Sequence, residues 1–595
     1  MQEQISRRVE LIQAWLADNE LDAFIVAHED EYLGEYVPEH NERLHWLTQF
    51  TGSAGAAVIT RQSAAIFVDG RYTVQVRKQV PAGTFEYCHL IEQPPIAWAK
   101  NTLEPGSRIG VDPRMHRGSW FQHALEQLGS NFELIATDIN PVDLFWSDRP
   151  APQLSQLMLM SLDKVGQSSA DKRSLLGAEL AKSGADAAII TELDSICWLL
   201  NVRGLDVSRL PVLLSHAILY SDGTTQFFID ESRIEDRSAF DTHVGLGVDV
   251  CNPDSLEHAL KSLSGKTVTL DPGTSNAWFK LKLTSFGAIL LEIADPCLMP
   301  KAAKNETEIE GMRNCHVRDG AAMVNFLSWL DTEVASGQLY DEAFLADKLE
   351  AFRRVDPSIV DLSFDTISAS AGNAAMCHYN HENQEVPGSL LQDTLYLVDS
   401  GGQYIDGTTD ITRTIAIGTP SEEMKRQFTL VLKGHISLAT ALFPKGTCGH
   451  QLDVLARQHL WANGYDYDHG TGHGVGHFLS VHEGPQRIAK AVNNTPLVAG
   501  MVLSNEPGYY RADEFGIRIE NLELVVDKAT NGDSSMLGFE SLTRCPIDKR
   551  NIVAELLTET EIAWLNDYHQ IVWNEVSPLV TGDALIWLES ACQPL

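Results

Sequence analysis

A repeated pattern in the first half of the chain limits the possible fold more than any other feature of the sequence. Three pairs of segments match: "LDAFIV" at 21–26 with "ADAAII" at 185–190, "HWLTQFTG" at 45–52 with "CWLLNVRG" at 197–204, and "AAIFVDGRY" at 64–72 with "TQFFIDESR" at 225–233. Each copy predicts a helix, a buried strand, a Trp-Leu segment ending in glycine, and another strand. Two related α/β modules are the economical interpretation, and chance similarity is the alternative.

The rest of the chain changes pattern in three places. A polar, proline-containing stretch at 147–156 is typical of a linker, and helical periodicity follows over 304–327. From 395 to 527 the pattern is that of strands and glycine turns, and after it Thr558 is a candidate N-cap of a helix. We therefore predict domains over 1–152, 153–303 and 304–533 and an extension over 534–595.

Charge and composition exclude several functions. The chain has 45 basic and 81 acidic residues, a net charge of −36, which disfavours binding to nucleic acid or an anionic membrane. Charged residues interrupt the N-terminal apolar stretch, and no apolar run is long enough to span a membrane. Nine scattered cysteines without a CxxC pair fit reduced thiols. We expect a soluble cytoplasmic protein.

Two aspartates lie at the turn of a predicted hairpin in "LYLVDSGGQYIDGTTDITRTIAIG" at 395–418. Leu395–Val398 has the apolar character of a buried strand that ends at Asp399, and a second, alternating strand begins at Asp410. Antiparallel pairing can bring the two carboxylates together, where they repel each other unless a cation lies between them. Taken singly, each residue is also explained as an ordinary turn aspartate.

More ionisable residues follow on predicted strands. Glu506 ends the apolar strand of "MVLSNEPGYY" at 501–510. In "FGIRIENLELVV" at 515–526, alternation predicts one strand with Arg518 and Glu520 on the same face. A local ion pair is the simple interpretation, but an ionisable pair on an inward face is unusual unless something binds there.

The segment "HGTGHGVGHFLSVHEGP" at 469–485 contains four histidines: His469, His473, His477 and His482. The first three have helical spacing, but the glycines between them disfavour a helix. A phosphate-binding loop is also disfavoured, because the glycine spacing does not match a P-loop and no lysine follows it. The remaining interpretation is a close approach of backbone to a ligand or metal, with one or more imidazoles as ligands.

These motifs, together with "NEPGYY" and "GIRIEN", resemble the pita-bread metallopeptidases and specifically the aminopeptidase P family. Similarity in "FTGSAGAAVITRQSAAIFVDGRY", "ICWLLNVRGLDV" and "LTETEIAWLNDYH" extends the resemblance to nearly the whole chain. It implies a multidomain fold of α/β and α+β type. Two creatinase-like α/β N-terminal domains would precede a pita-bread catalytic domain with a short C-terminal extension.

The resemblance also implies a two-metal centre. Its ligands on this chain would be Asp399, Asp410, His473, Glu506 and Glu520. Asp410 and Glu520 would bridge the two ions. Four carboxylates and one imidazole are a hard-oxygen ligand set, which favours Mn²⁺ and balances the charge of two divalent cations.

The implied activity is that of a metalloaminopeptidase, which releases the N-terminal residue from peptides with proline at position two. The nucleophile would be a hydroxide that bridges the metals, and Glu506 would accept its proton. His378 and His482 match catalytic histidines of the family, and His469 and Arg518 match positions that bind substrate. The N-terminal domains would border the active site and form the interface of a homodimer.

His477 and His381 receive no role from the resemblance. Prolidase, which shares the metal ligands and cleaves Xaa-Pro dipeptides, is the nearest alternative within the fold. A non-catalytic peptide-binding relative is a further alternative, but the intact ligand set disfavours it. Creatinase shares the fold and lacks the metal ligands.

Overall fold

The repeated segments of the first half form two six-stranded sheets. The computed structural model describes residues 2–73, 75–384 and 386–595. The strands of the first sheet are β1 (Ala23–Ala27), β2 (Gly55–Thr60), β3 (Ala64–Val68), β4 (Glu86–His89), β5 (Arg108–Val111) and β6 (Glu133–Ala136). After them come β7 (Met158–Leu159), β8 (Ala187–Ile190), β9 (Val202–Arg203), β10 (His216–Tyr220), β11 (Thr225–Phe228), β12 (Val248–Cys251), β13 (Thr267–Leu270) and β14 (Ile289–Glu292).

The two sheets have the same topology. Their strand orders are β4-β3-β2-β1-β5-β6 and β12-β11-β10-β8-β13-β14. In the first sheet β1 pairs antiparallel with β2 and parallel with β5. In the second, β8 pairs antiparallel with β10 and parallel with β13. The predicted repeat is therefore confirmed, and chance similarity is excluded.

Helices alternate with these strands, as a repeated α/β module requires. Those along residues 2–297 are α1 (Gln2–Asp18), α2 (Arg43–Thr48), α3 (Gln75–Gln79), α4 (Pro95–Thr102), α5 (Gly118–Leu128), α6 (Pro141–Phe145), α7 (Leu162–Val165), α8 (Ser169–Ser183), α9 (Leu193–Leu200), α10 (Arg237–Val244), α11 (Leu256–Ser262) and α12 (Ala277–Ser285). Helix α1 buries Ile5, Val9 and Ile12, which share one face, in a core with Phe24 of β1.

The chain divides into two compact units. The first comprises Met1–Met160, Gln167–Ser208 and Val212–Cys297. The second comprises Ser161–Gly166, Arg209–Pro211 and Leu298–Leu595. The finer domain boundaries predicted at 152, 303 and 533 stay predictions. No helix in the described part of the chain is long and apolar enough to cross a membrane.

Several smaller sheets make up the second unit. Its remaining helices are α13 (Leu298–Ala302), α14 (Glu306–Ala335), α15 (Glu342–Arg353), α16 (Glu422–Ala439), α17 (Asp453–Trp461), α18 (Glu559–Val576) and α19 (Gly582–Ala591). Its strands are β15 (Ile359–Leu362), β16 (Ile367–Ser370), β17 (Thr394–Ser400), β18 (Gly402–Tyr404), β19 (Gly407–Thr408), β20 (Ile411–Ile417), β21 (Phe443–Pro444), β22 (Gly472–Gly474), β23 (Glu483–Ile488), β24 (Val502–Asn505), β25 (Gly508–Arg511), β26 (Phe515–Arg518), β27 (Asn521–Lys528) and β28 (Met536–Ser541).

Three sheets and one hairpin of this unit surround the motifs. The sheet orders are β16-β17-β20, β15-β18-β19 and β21-β28-β27-β24-β22-β23, and β25 pairs with β26. Thr558 caps α18. Its side-chain oxygen accepts a hydrogen bond from the Glu561 N–H, and the Glu561 carboxylate accepts one from the Thr558 N–H. That predicted cap is confirmed.

Two sequence-based predictions for this unit were wrong. The segment 395–527 is not only strands and turns, since it contains α16 and α17. Helix α16 begins after Ser421, whose side chain accepts the Met424 N–H, and it buries an apolar face. The segment 515–526 is not one strand, because β26 ends at Arg518 and β27 begins at Asn521. Ile519 and Glu520 lie in the break, where the chain passes from the β25–β26 hairpin to a different sheet.

Candidate metal centre

The two aspartates lie at one end of the β17–β20 pair. These strands are antiparallel, with Asp399 opposite Thr412 and Ser400 opposite Ile411. Asp410 therefore comes immediately before the first paired residue of β20. Asp399 and Asp410 are both buried, at 8% and 4% exposure. The register brings the two carboxylates to the same end of the pair, although strands β18 and β19 replace a simple turn between them.

His473 is brought to these aspartates by β22, a three-residue strand and not a helix. A Cβ on Gly472 would lie 1.9 Å from the Ser504 carbonyl oxygen, so only glycine permits this approach of β22 to β24. Glu506, which follows β24, donates its N–H to the Thr471 carbonyl. Gly472 thus permits the contact between the two strands, and the histidine spacing has no helical meaning.

One imidazole and several carboxylates meet at this point. His473 Nε2 lies 3.4 Å from Asp410 Oδ2 and 3.7 Å from Glu506 Oε1. One oxygen each of Asp410 and Glu520 and one ring nitrogen of His473 lie within 4.8 Å of one another. Oxygen and nitrogen donors at such mutual distances can hold a divalent cation.

The charged side chains of this cluster favour the binding of a cation. Burial raises the pKa of Glu520 well above its usual range, and Asp410, Asp399 and Glu506 raise it further. Burial likewise raises the pKa of Glu506 to about 7, although His473 opposes the shift. Burial lowers the pKa of His473, but Asp410 and Glu506 outweigh it and raise the value to about 9. Burial and neighbouring carboxylates thus disfavour the charged forms of Glu520 and Glu506 unless a cation is present.

Asp399 gives a second indication that a cation fits this cluster. Burial raises its pKa, which Arg518 opposes. Its Oδ2 accepts a hydrogen bond from Arg518 at 2.5 Å, whereas its Oδ1 is buried and has no hydrogen-bond donor in the described part of the chain. A buried carboxylate oxygen without a donor is costly, and a metal ion would satisfy it.

Arg518 connects this cluster to a second group of side chains. Its guanidinium contacts Asp399, so its ion pair is not the local one with Glu520 that the sequence suggested. It also donates to Thr412 Oγ1 at 3.1 Å and to Tyr510 Oη at 2.6 Å. His469 Nε2 lies 2.8 Å from the same Tyr510 oxygen. Tyr510 therefore joins the two residues that the resemblance assigned to substrate binding.

Sequence reasoning missed Tyr510 and Thr412. Thr412 donates to Glu520 Oε2 at 2.7 Å and accepts from Arg518, so it orients both. The alternation of β20, which puts Asp410 and Thr412 on one face, could have identified it. Tyr510 lies within a quoted motif, but nothing in the sequence indicates that its hydroxyl reaches His469.

The remaining histidines differ in position. The His482 ring lies 4.5 Å from the His473 ring and nearly perpendicular to it. Burial, with smaller contributions from nearby Arg518 and His378, lowers the pKa of His469 to about 3. His477 is buried beside Gly311 of α14, and His381 is buried in a 3₁₀ turn.

Comparison with known proteins identifies the family that the chain resembles. Residues 310–527 match metallopeptidase family M24, and 535–595 match its C-terminal region. Residues 8–142 and 148–308 each match a creatinase/prolidase N-terminal domain. A probable Xaa-Pro aminopeptidase P of Laccaria bicolor is 40% identical over 99% of this chain and 94% of its own length.

The chain belongs to the aminopeptidase P family of M24 metallopeptidases. Aminopeptidase P2 of Arabidopsis thaliana is 39% identical over 97% of this chain and 86% of its own length. Among solved structures, the X-prolyl aminopeptidase of Caenorhabditis elegans matches with a TM-score of 0.91 and 35% identity, covering 97% of this chain and 95% of that one. That protein is described as a cytosolic enzyme with a di-nuclear active site. The family and the creatinase-like and M24 fold expected from the sequence are confirmed.

Proposed function

We propose that the chain is an Xaa-Pro aminopeptidase, which hydrolyses the bond before a proline at position two and releases the N-terminal residue. One observation carries this proposal. Asp410, His473 and Glu520, which are far apart in sequence, bring their ligand atoms within 4.8 Å of one another. They do so in a chain that is similar over its full length to Xaa-Pro aminopeptidases.

Two divalent metal ions fit the donor set of Asp399, Asp410, His473, Glu506 and Glu520. Support comes from Asp399 Oδ1, which has no hydrogen-bond donor among the described residues, from the mutual repulsion of the buried carboxylates, and from the di-nuclear site of the C. elegans relative. We propose Mn²⁺, because the set is dominated by carboxylate oxygen. When bound, the ions would supply Lewis acidity to the scissile carbonyl and lower the pKa of the attacking water.

The chain's own groups complete the chemistry. Ser504 Oγ donates to Glu506 Oε1 at 3.1 Å and fixes a carboxylate that accepts the proton of the nucleophile. His482, beside His473, and His378, near His469, are exposed enough to reach a bound peptide. We assign them to stabilising negative charge on the carbonyl oxygen and to transferring a proton to the leaving proline nitrogen.

Substrate binding is assigned to Arg518 and His469. Both side chains meet at the Tyr510 hydroxyl, so one hydrogen-bonded unit presents a cation and an imidazole beside the metal ligands. Burial lowers the pKa of His469 to about 3 and keeps the imidazole neutral. The neutral imidazole and the guanidinium held in place can both hydrogen-bond to the uncharged peptide backbone beyond the proline.

We further propose that the enzyme is a cytoplasmic homodimer. The cytosolic relative from C. elegans supports the location, and the resemblance of the N-terminal domains supports the dimer. Sedimentation of the purified chain tests the oligomeric state, and a monomer would contradict it.

The test of function compares an Xaa-Pro-Xaa tripeptide with an Xaa-Pro dipeptide, each with and without added Mn²⁺, alongside metal analysis of the purified chain. We expect Mn²⁺-stimulated cleavage with preference for the tripeptide and about two metal ions per chain. Strong preference for the dipeptide would indicate a prolidase. Absence of both bound metal and cleavage would indicate a peptide-binding relative.

A further inference from the structure

A buried carboxylate outside the metal centre organises the segment that carries His378. Glu342, the first residue of α15, is 0% exposed. Its Oε1 accepts the Ser370 N–H at 2.7 Å and an Asn373 amide hydrogen at 3.0 Å. Its Oε2 accepts the Tyr379 hydroxyl at 2.6 Å and the Gly388 N–H at 2.9 Å. In the described part of the chain, all its hydrogen-bond partners are uncharged groups.

Three of these four donors, Ser370, Asn373 and Tyr379, lie at the end of β16 or in the segment directly after it. Ser370 ends β16, and the residues 371–384 that follow are here named the His378 loop. Asn373 and Tyr379 lie within this loop, and Tyr379 is the immediate neighbour of His378. Asn373 also donates to the Tyr379 oxygen at 3.1 Å, so the two loop side chains that bind Glu342 also bind each other.

The same loop packs closely on the hairpin that leads to Arg518. A Cβ on Gly516 would lie 1.8 Å from the Ala374 carbonyl oxygen, and one on Gly372 would lie 2.8 Å from the Asp513 carbonyl oxygen. The loop is therefore held by the β25–β26 hairpin at Gly372 and Ala374 and by Glu342 at Asn373 and Tyr379.

We propose that Glu342 is a positioning residue, whose carboxylate fixes the His378 loop and so holds His378 at the substrate site. This inference rests on the proposed function. A carboxylate accepts from four donors at once without needing a donor of its own, and no other side chain of this size can do so. Charge-assisted hydrogen bonds of this kind are stronger than neutral ones, which suits a group that must order an exposed histidine.

The decisive substitution is Glu342→Gln. The amide keeps the volume, but its NH₂ must face either the Ser370 or the Gly388 N–H, so one backbone donor loses its acceptor. Since a displacement of about 1 Å at a reacting group can cost about 10²-fold in rate, we expect kcat on an Xaa-Pro-Xaa tripeptide to fall about 10- to 100-fold with little change in KM. Tyr379→Phe, which removes one donor of the set, should cause a smaller loss.

A double-mutant cycle with His378→Ala separates positioning from general damage. If Glu342 acts through His378, Glu342→Gln should lower kcat by no more than about twofold in the His378→Ala background. An equal loss in both backgrounds would overturn the inference. Glu350→Gln, which removes a surface pair with Arg354 on the same helix, is the matched control and should leave kcat unchanged.

Hydrogen exchange provides a readout that does not need activity. Glu342→Gln should speed amide exchange in peptides that cover Ser370 and the His378 loop, and Glu350→Gln should not. Unchanged exchange, or undiminished kcat, in Glu342→Gln would refute this inference and leave the proposed function intact. Failure of the unmodified chain to cleave the tripeptide would refute the proposed function and this inference with it.

Discussion

Gly472→Ala tests whether the glycine before His473 is required for the close approach of β22 to β24. The added Cβ would lie 1.9 Å from the Ser504 carbonyl oxygen and 2.9 Å from its carbon. Ordinary van der Waals contact begins near 3.4 Å, so β22 and β24 must separate by about 1.5 Å. The alternative, a compressed contact, would raise the energy of the folded state instead. Overpacking of this kind typically costs about 1–3 kcal/mol of stability.

The same displacement acts directly on the proposed metal ligands. His473, next in sequence, donates its N–H to Ser504 Oγ at 2.9 Å, and Glu506 donates its N–H to the Thr471 carbonyl at 2.9 Å. Both bonds join the two strands that must separate. A shift of about 1.5 Å between His473 and Glu506, whose ligand atoms are 3.7 Å apart, should weaken cation binding and lower kcat about 10²-fold or more.

Gly470→Ala is the matched control within the same motif. Its added Cβ would lie 3.6 Å from the Ile488 carbonyl oxygen, an ordinary contact. Thermal unfolding, calorimetric titration with Mn²⁺ and tripeptide turnover should therefore separate the two variants. If Gly472→Ala unfolds, binds Mn²⁺ and turns over like Gly470→Ala, the close-approach explanation is wrong.

Other predictions follow from the ion pairs and the cluster. Glu520→Ala should abolish turnover and Mn²⁺ binding by calorimetry, and near-normal turnover would refute the two-metal assignment. Chelation should lower both activity and the thermal unfolding temperature, and Mn²⁺ should restore both; an unchanged unfolding temperature would contradict a buried metal centre. Glu483→Gln should cost about 3–5 kcal/mol in urea unfolding, because it removes the carboxylate that the buried ammonium groups of Lys301 and Lys304 share. Lys433→Met, which breaks a less buried ion pair with Glu561, should lower the free energy of unfolding by a smaller amount. Equal losses would contradict the burial argument.

The sequence predicted the architecture of the first half because a repeat is visible without knowledge of contacts. Alternating apolar strands and matching glycines recur in the same order, so two copies of one sheet topology follow. The pairing of strands in the second unit was harder to predict from the sequence. The prediction of one strand over 515–526 was wrong because alternation continues across Ile519 and Glu520, and only tertiary pairing shows that the chain changes sheets there.

The candidate ligands could be named from motifs, but their supporting groups could not. Asp399 and Arg518 are 119 positions apart in sequence, and nothing local relates them. Glu342 is the first residue of α15, and nothing in the local sequence distinguishes it. Its importance depends on four hydrogen-bond donors between Ser370 and Gly388. Local patterns report which residues are polar and where they point, whereas these contacts depend on which elements meet.

Arg413 shows how far the site depends on the end of the chain. This guanidinium is fully buried on β20, three residues after Asp410, and its hydrogen-bond acceptors among the described residues are neutral oxygens. It donates to the Glu520 carbonyl at 2.7 Å and, on its other side, to the Cys545 carbonyl at 2.7 Å and the Tyr568 hydroxyl at 2.9 Å. A buried charge is tolerated only when such acceptors are held in place. Because Arg413 joins β20 and the Glu520 carbonyl to Cys545 and Tyr568, the C-terminal region helps to hold the proposed ligands Asp410 and Glu520 in place.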